Sequence, residues 1–207
     1  MTVVNIFKFD QNTLTYELNT KKKWNVLYVD TPNSFKMKKT GGSFKSGSSD
    51  QYMTMTIDQI CDLPVSKICE DDAIIFFWIQ TALSGGNMNN YGDRILQAWN
   101  FPKFVTKLYW DKGSIGMGAN YRNQIEELWV AKRGKVKALH MTRQSTLVKH
   151  KRLPHSVKPD IFRVIIEEST IRLFGKRRKM IELFKRRNPN LQKEFKTKWD
   201  YWGDQLH

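Results

Sequence analysis

Five short runs in this chain are largely apolar, rich in β-branched and aromatic residues and bounded by polar ones: residues 25–29, 73–79, 104–110, 127–131 and 180–184. Runs of this length without strict alternation predict strands covered on both faces. Strands covered on both faces predict a mostly parallel sheet. Helical spacing falls between them. Residues 56–62 carry Thr56 and Asp58 as start signals, and residues 91–99 place Ile95, Leu96 and Trp99 on one face. Residues 159–169 open on Pro159 and bring Ile161, Phe162, Ile165 and Ile166 into one stripe. Strands alternating with helices give an α/β domain with right-handed crossovers. Three segments fit neither period: 34–51, rich in Lys, Gly and Ser; 111–122, with Gly113, Gly116 and Gly118; and the basic, polar 134–156. They are expected as flexible loops, and long loops in a compact domain tend to be functional lids.

Composition narrows this picture. A chain of 207 residues, 40% hydrophobic, suits a single domain over residues 1–207. It contains no apolar stretch of about 18 or more residues, so no membrane span is expected. The N-terminus lacks the basic-then-apolar order of a signal peptide. Cys61 and Cys69 make no disulfide or metal framework, which points to a reducing, cytoplasmic setting.

The net charge of +15 changes the picture most. It predicts a polyanionic partner, nucleic acid first. The charge is clustered: residues 132–158 hold no acid, Lys36, Lys38, Lys39 and Lys45 share another acid-free stretch, and residues 172–187 are broken only by Glu182. Clustered cations with aromatics nearby suit a groove that follows phosphates. His140, His150, His155 and His207 lack metal-ligand spacing, so no metal is expected. Neither a phosphate-binding glycine loop nor a serine nucleophile elbow is present in the sequence.

The candidate chemistry begins at Asp30-Thr31-Pro32-Asn33, directly after the first long strand. Ligands of doubly wound sheets sit beyond the carboxyl ends of strands, although an acid there can equally cap the next turn. Further phrases follow in order: Tyr52-Met53-Thr54-Met55; Asp71-Asp72 before Ala73-Ile74-Ile75-Phe76-Phe77-Trp78; Ala98-Trp99-Asn100-Phe101; and Tyr109-Trp110-Asp111-Lys112. Then come Gly116-Met117-Gly118 leading to Tyr121-Arg122-Asn123-Gln124 and Glu126, Lys132-Arg133-Gly134, and His155-Ser156-Val157-Lys158-Pro159-Asp160. Glu182-Leu183-Phe184 with Arg186, and Trp202-Gly203-Asp204-Gln205, close the series. In this order, over residues 25–205, the chain resembles the MT-A70 family of adenine-N6 methyltransferases, whose first landmark reads Asp-Pro-Pro-Trp.

The resemblance implies a Rossmann-like α/β methyltransferase fold with a mostly parallel sheet and permuted motif order, and S-adenosylmethionine as cofactor. It implies catalytic roles at Asp30, Pro32 and Asn33, with the carboxylate and a backbone carbonyl accepting the two amine hydrogens. It assigns the cofactor to Asp10, Asp30, Lys158, Arg186, Asn188, Asp204 and Gln205, with Lys158 facing the methionine carboxylate. It assigns the acceptor to Tyr52, Arg122, Asn123 and Glu126. Thr31 and Asn33 depart from the family's proline and aromatic ring, so Phe35 or Tyr52 is a candidate replacement ring. These departures leave three readings open: an active enzyme, favoured by the retained acid; an enzyme with a different acceptor; or a silent nucleic-acid-binding subunit. Likeness to stand-alone phage and bacterial enzymes favours DNA over RNA. The expected partner is nucleic acid and not a membrane. Pairing with a second copy, or with another MT-A70-like subunit, is left open.

Overall fold

A computed structural model describes residues 2–10, 15–33, 54–81, 91–116, 121–139, 143–154, 157–185 and 198–203. Its centre is an eight-stranded sheet. The chain enters as β1 (Thr2–Val3) and leaves the sheet for a separate antiparallel pair, β2 (Phe7–Asp10) and β3 (Thr15–Leu18). It returns as β4 (Trp24–Val29), followed by β5 (Cys69–Ile79), β6 (Lys103–Asp111) and β7 (Ile125–Arg133). The strands β8 (Leu147–Lys149), β9 (Met180–Leu183) and β10 (Trp199–Trp202) complete it. The order across the sheet is β1-β10-β9-β4-β5-β7-β6-β8. Every pairing is parallel except the two made by β7, which runs antiparallel to β5 and β6.

The five apolar runs are thus strands and the sheet is mostly parallel, but the run 104–110 is not covered on both faces as expected: Phe104 and Val105 are exposed, because β8 covers only the last three residues of β6. All six residues of β4 are buried, as are the last seven of β5. The three helical stripes are helices too: α1 (Ile57–Asp62), α2 (Tyr91–Ala98) and α3 (Ile161–Phe174). Thr56 starts α1 through a reciprocal cap, its hydroxyl accepting from the Gln59 N–H while the Gln59 side chain accepts from the Thr56 N–H.

Alternation along the strands splits the core in two. Leu27, Val29, Ile75, Phe77 and Trp129 point to the face where Ile60, Ile95 and Leu96 of α1 and α2 pack. Val26, Tyr28, Phe76, Trp78, Leu128 and Val130 point to the other, against Phe162, Ile165 and Ile166 of α3. The result is a three-layer α/β/α domain.

Two glycines are dictated by close approach. Gly134 turns the chain out of β7 at φ +69°, and a side-chain carbon there would lie 2.3 Å from the Asp71 carbonyl oxygen. Gly203 follows β10, where such a carbon would lie 2.5 Å from the Lys185 carbonyl oxygen.

The segment 134–156, expected as loop throughout, contains β8. This strand pairs only with the last three residues of β6 and buries Val148 while leaving Leu147 exposed, so it is too short to show a period in the sequence. The segment 34–51 lies outside the described residues. No helix among the described residues is long and apolar enough to cross a membrane.

Candidate active site

The strand β4 lies between β9 and β5, and the chain passes from β4 to β5 on one side while β9 joins much later on the other. That is a topological switch point, where a crevice opens beyond the strands' carboxyl ends. Asp30 is the first residue past β4 at this edge. Because β7 runs backwards, its first residues share the edge: Trp110 pairs with Glu126, and Ile79 with Glu127.

Parity then decides which side chains meet. Successive side chains in a strand alternate between faces. Asp30 follows Tyr28 in register, Glu126 precedes Leu128, and Lys112 follows Trp110. All three therefore project on the α3 side. Lys158 reaches the same side from the turn that leads into α3.

The four groups form one chain of charges. The Lys158 ammonium lies 3.2 Å from Asp30 Oδ1 and 3.0 Å from Glu126 Oε2, and Lys112 Nζ lies 3.2 Å from Glu126 Oε1. Lys158 also sits 5.2 Å from the centre of the Trp78 ring. The side chains of Lys158 and Asp30 are 13% and 21% exposed, so the pair is shielded yet reachable from solvent. Burial alone would raise the Glu126 carboxyl, but Lys158 and Lys112 outweigh it and hold it below the usual range. Burial alone would lower the Lys158 ammonium, and Asp30 with Glu126 hold it above its usual value instead.

A second polar string supports the first from beneath. The Trp78 indole donates to the Tyr28 hydroxyl at 2.7 Å, and the Arg163 guanidinium lies 5.3 Å from the Tyr28 ring centre. Arg163 donates twice to Glu182, at 2.9 and 2.6 Å, and once to Asp160. Glu182 also faces Lys185 at 3.4 Å. Arg163, Glu182 and Lys185 are all buried. This string joins α3 to the end of β9 and so fixes the two walls of the crevice relative to each other.

The turn after Asp30 is pinned from outside the sheet. The Met55 N–H donates to the Pro32 carbonyl at 2.7 Å, in a parallel bridge that pairs Asn33 with Met55. The Asn33 N–H donates to the Thr31 carbonyl at 3.0 Å. The Tyr91 hydroxyl, at the start of α2, donates to Asn33 Oδ1. The ring buried beside position 33 is thus Tyr91. The sequence offered no sign of this pairing, because the two residues meet only through the packing of α2. Phe35 and Tyr52 lie outside the described residues.

Of the residues expected from the sequence, the structure brings together Asp30, Lys158 and Glu126, with Pro32 and Asn33 adjoining Asp30. It adds Lys112, Trp78 and Tyr91. Arg122 and Asn123 are exposed at the neck of the β6–β7 connection, where the Asn123 carbonyl accepts from Gly116 at 2.7 Å. Asp10 closes β2, outside the main sheet. Arg186, Asn188, Asp204 and Gln205 lie outside the described residues; the described chain before them ends at Lys185 and Gly203, both on the carboxyl edge.

A family model described as MT-A70 matches residues 21–205. The chain is also 29% identical over 198 residues to the type II methyltransferase M.MunI of a Mycoplasma species, an overlap covering 88% of this chain and 78% of that protein.

Proposed function

Since the chain belongs to the MT-A70 family of methyltransferases, we propose that it moves a methyl group from S-adenosylmethionine to the exocyclic N6 amine of adenine in nucleic acid, DNA before RNA. The observation that carries this reading is Asp30, held by Lys158 at 3.2 Å beyond the central parallel strand, with a pinned turn of carbonyls beside it.

The donor set fits the cofactor. A carboxylate and an ammonium, adjacent and partly exposed at the switch point, match the two charges of a methionine zwitterion. Asp30 and Lys158 would hold that end, and Asp10, Arg186, Asn188, Asp204 and Gln205 are proposed to complete the site. When bound, S-adenosylmethionine supplies a methyl group already activated on a sulfonium.

The remaining work is positioning. Adenine's amine lone pair is delocalised into the ring. Asp30 accepts one amine hydrogen and a carbonyl of the Thr31–Pro32 turn accepts the other, which turns the lone pair toward the methyl. Each carbonyl already accepts one backbone N–H, and its second lone pair is left for this task. Asp30 would also accept the proton that nitrogen sheds once it is alkylated. Glu126, fixed by two lysines, presents a polar edge to the base, and Tyr91 with Asn33 closes the side where the family carries its aromatic residue. A nucleic-acid acceptor is supported by the net charge of +15, and the preference for DNA by similarity to a type II methyltransferase.

The test uses labelled S-adenosylmethionine with single-stranded DNA, duplex DNA and RNA, followed by nucleoside analysis. Label in N6-methyladenine is expected. Asp30→Ala should lower the rate by about 10²–10³-fold, as for loss of a preorganised polar group. Label on another atom would sink the reading, as would no label from protein that binds the cofactor.

A further inference from the structure

Beside the row of charges lies an open cleft of about 470 Å³, lined by Asp111, Lys112, Lys149, His150, Lys151 and Arg152 among others. One wall is the turn that leaves β6 and the other is the chain leaving β8. The two walls are tied together: the His150 N–H donates to the Asp111 carbonyl at 3.0 Å, and the Trp110 indole donates to the His150 carbonyl at 2.8 Å. The acid among these lining residues, Asp111, is held by its own turn and offsets part of the charge of Lys149. Asp111 Oδ1 accepts from the Gly113 N–H at 2.9 Å and from the Gln124 amide at 2.7 Å, and so shapes the turn. Lys149, Lys151 and Arg152 are exposed, and among the described residues none lies within ion-pair distance of a carboxylate. Lys112 belongs to both places, lining the cleft while holding Glu126.

We propose that this cleft binds a backbone phosphate of the substrate strand next to the target base. The inference rests on the reading of the chain as a nucleic-acid methyltransferase and adds where the strand is gripped. Three such cations around one concavity make an anion site, and a guanidinium forks onto phosphate oxygens. S-adenosylmethionine carries no phosphate, so the ligand here is not the cofactor. The shared residue Lys112 links the grip through Glu126 and Lys158 to Asp30. Anchoring the backbone there sets the register of the base over Asp30 and carries no sequence information by itself.

The experiment measures binding of a fluorescent 20-nucleotide DNA, single-stranded and duplex, across a series of KCl concentrations. It compares the wild type, a triple variant (Lys149→Gln, Lys151→Gln, Arg152→Gln) and a charge control (Lys67→Gln, Lys176→Gln) whose exposed lysines lie far from the carboxyl edge. Calorimetry with S-adenosylmethionine on each protein checks that fold and cofactor site survive. The slope of log affinity against log salt should become shallower by about 1 in the triple variant, near 0.9 for the one duplex phosphate that is no longer neutralised. The control should keep the wild-type slope. An unchanged slope in the triple variant, or equal change in the control, would overturn the cleft while leaving the methyltransferase reading intact if wild type still labels DNA. Wild type that binds the cofactor but neither binds nor labels nucleic acid overturns both. Competition by inorganic phosphate at millimolar concentration that matches the loss of affinity in the triple variant would make the site one for free phosphate and also overturn the proposal.

Discussion

Lys158 occupies the centre of the site, and its contacts assign it a part the sequence did not. The resemblance gave it to the cofactor; the structure sets it between Asp30 and Glu126, neutralising both. Without it two carboxylates would face each other at the crevice. Lys158→Met should therefore weaken cofactor binding and also destabilise the fold by about 1.5–3 kcal/mol, the usual worth of hydrogen bonds to charged groups; calorimetry and urea unfolding read the two effects. Glu126 gives a pH signature. Its folded carboxyl lies below the ordinary range, so its contribution to stability is present above its unfolded pKa of about 4.3 and is lost as pH falls through the lower folded value. Glu126→Gln should show a flatter acid limb than wild type in unfolding midpoints between about pH 5 and 2. Parallel limbs would mean that the lysines do not tune this group. Tyr91→Phe removes one hydrogen bond to Asn33 and should cost about 1 kcal/mol. It should raise KM for nucleic acid with little change in cofactor affinity, and a kinetic split of the opposite sense would remove Tyr91 from the acceptor side.

At the scale of elements, the runs of apolar residues were readable because burial on both faces leaves a continuous pattern, as in β4 and β5. The same continuity hides direction. Leu128, Trp129, Val130 and Ala131 would be as buried in a parallel strand, so nothing in them announces that β7 runs backwards. β10 was unreadable for the opposite reason: its Asp200 is buried, accepting from the Trp24 indole at 2.7 Å and from Lys22, a partnership invisible in local sequence. Asp30, Glu126 and Lys158 were recognisable singly through their motifs. Their union into one network depends on strand register, which spacing along the chain does not report. The α3–β9 pair offers a sharper test of what holds the crevice. Glu182→Ala leaves Arg163 charged and buried without its main partner, and should destabilise by about 3–5 kcal/mol. Replacing both residues with apolar ones should recover much of that stability, as measured by chemical denaturation; no recovery would show that the network stabilises through more than mutual neutralisation.

For the whole molecule, the sheet separates two tasks. Its amino edge and outer layers supply burial, while its carboxyl edge gathers the carboxylates, their lysines and the basic cleft. Neighbours in that sheet are seldom neighbours in the chain. Val26 of the central strand pairs with Met180, and Thr2 with Asp200. Such pairings close long loops before they return any contact energy, which slows folding. During synthesis β4 must wait, with one edge unpaired, until β9 has left the ribosome. The crevice beside Asp30 cannot exist before β9 arrives, so the nascent chain is inert until then, and for that interval the open edge of β4 is exposed to pairing with another copy.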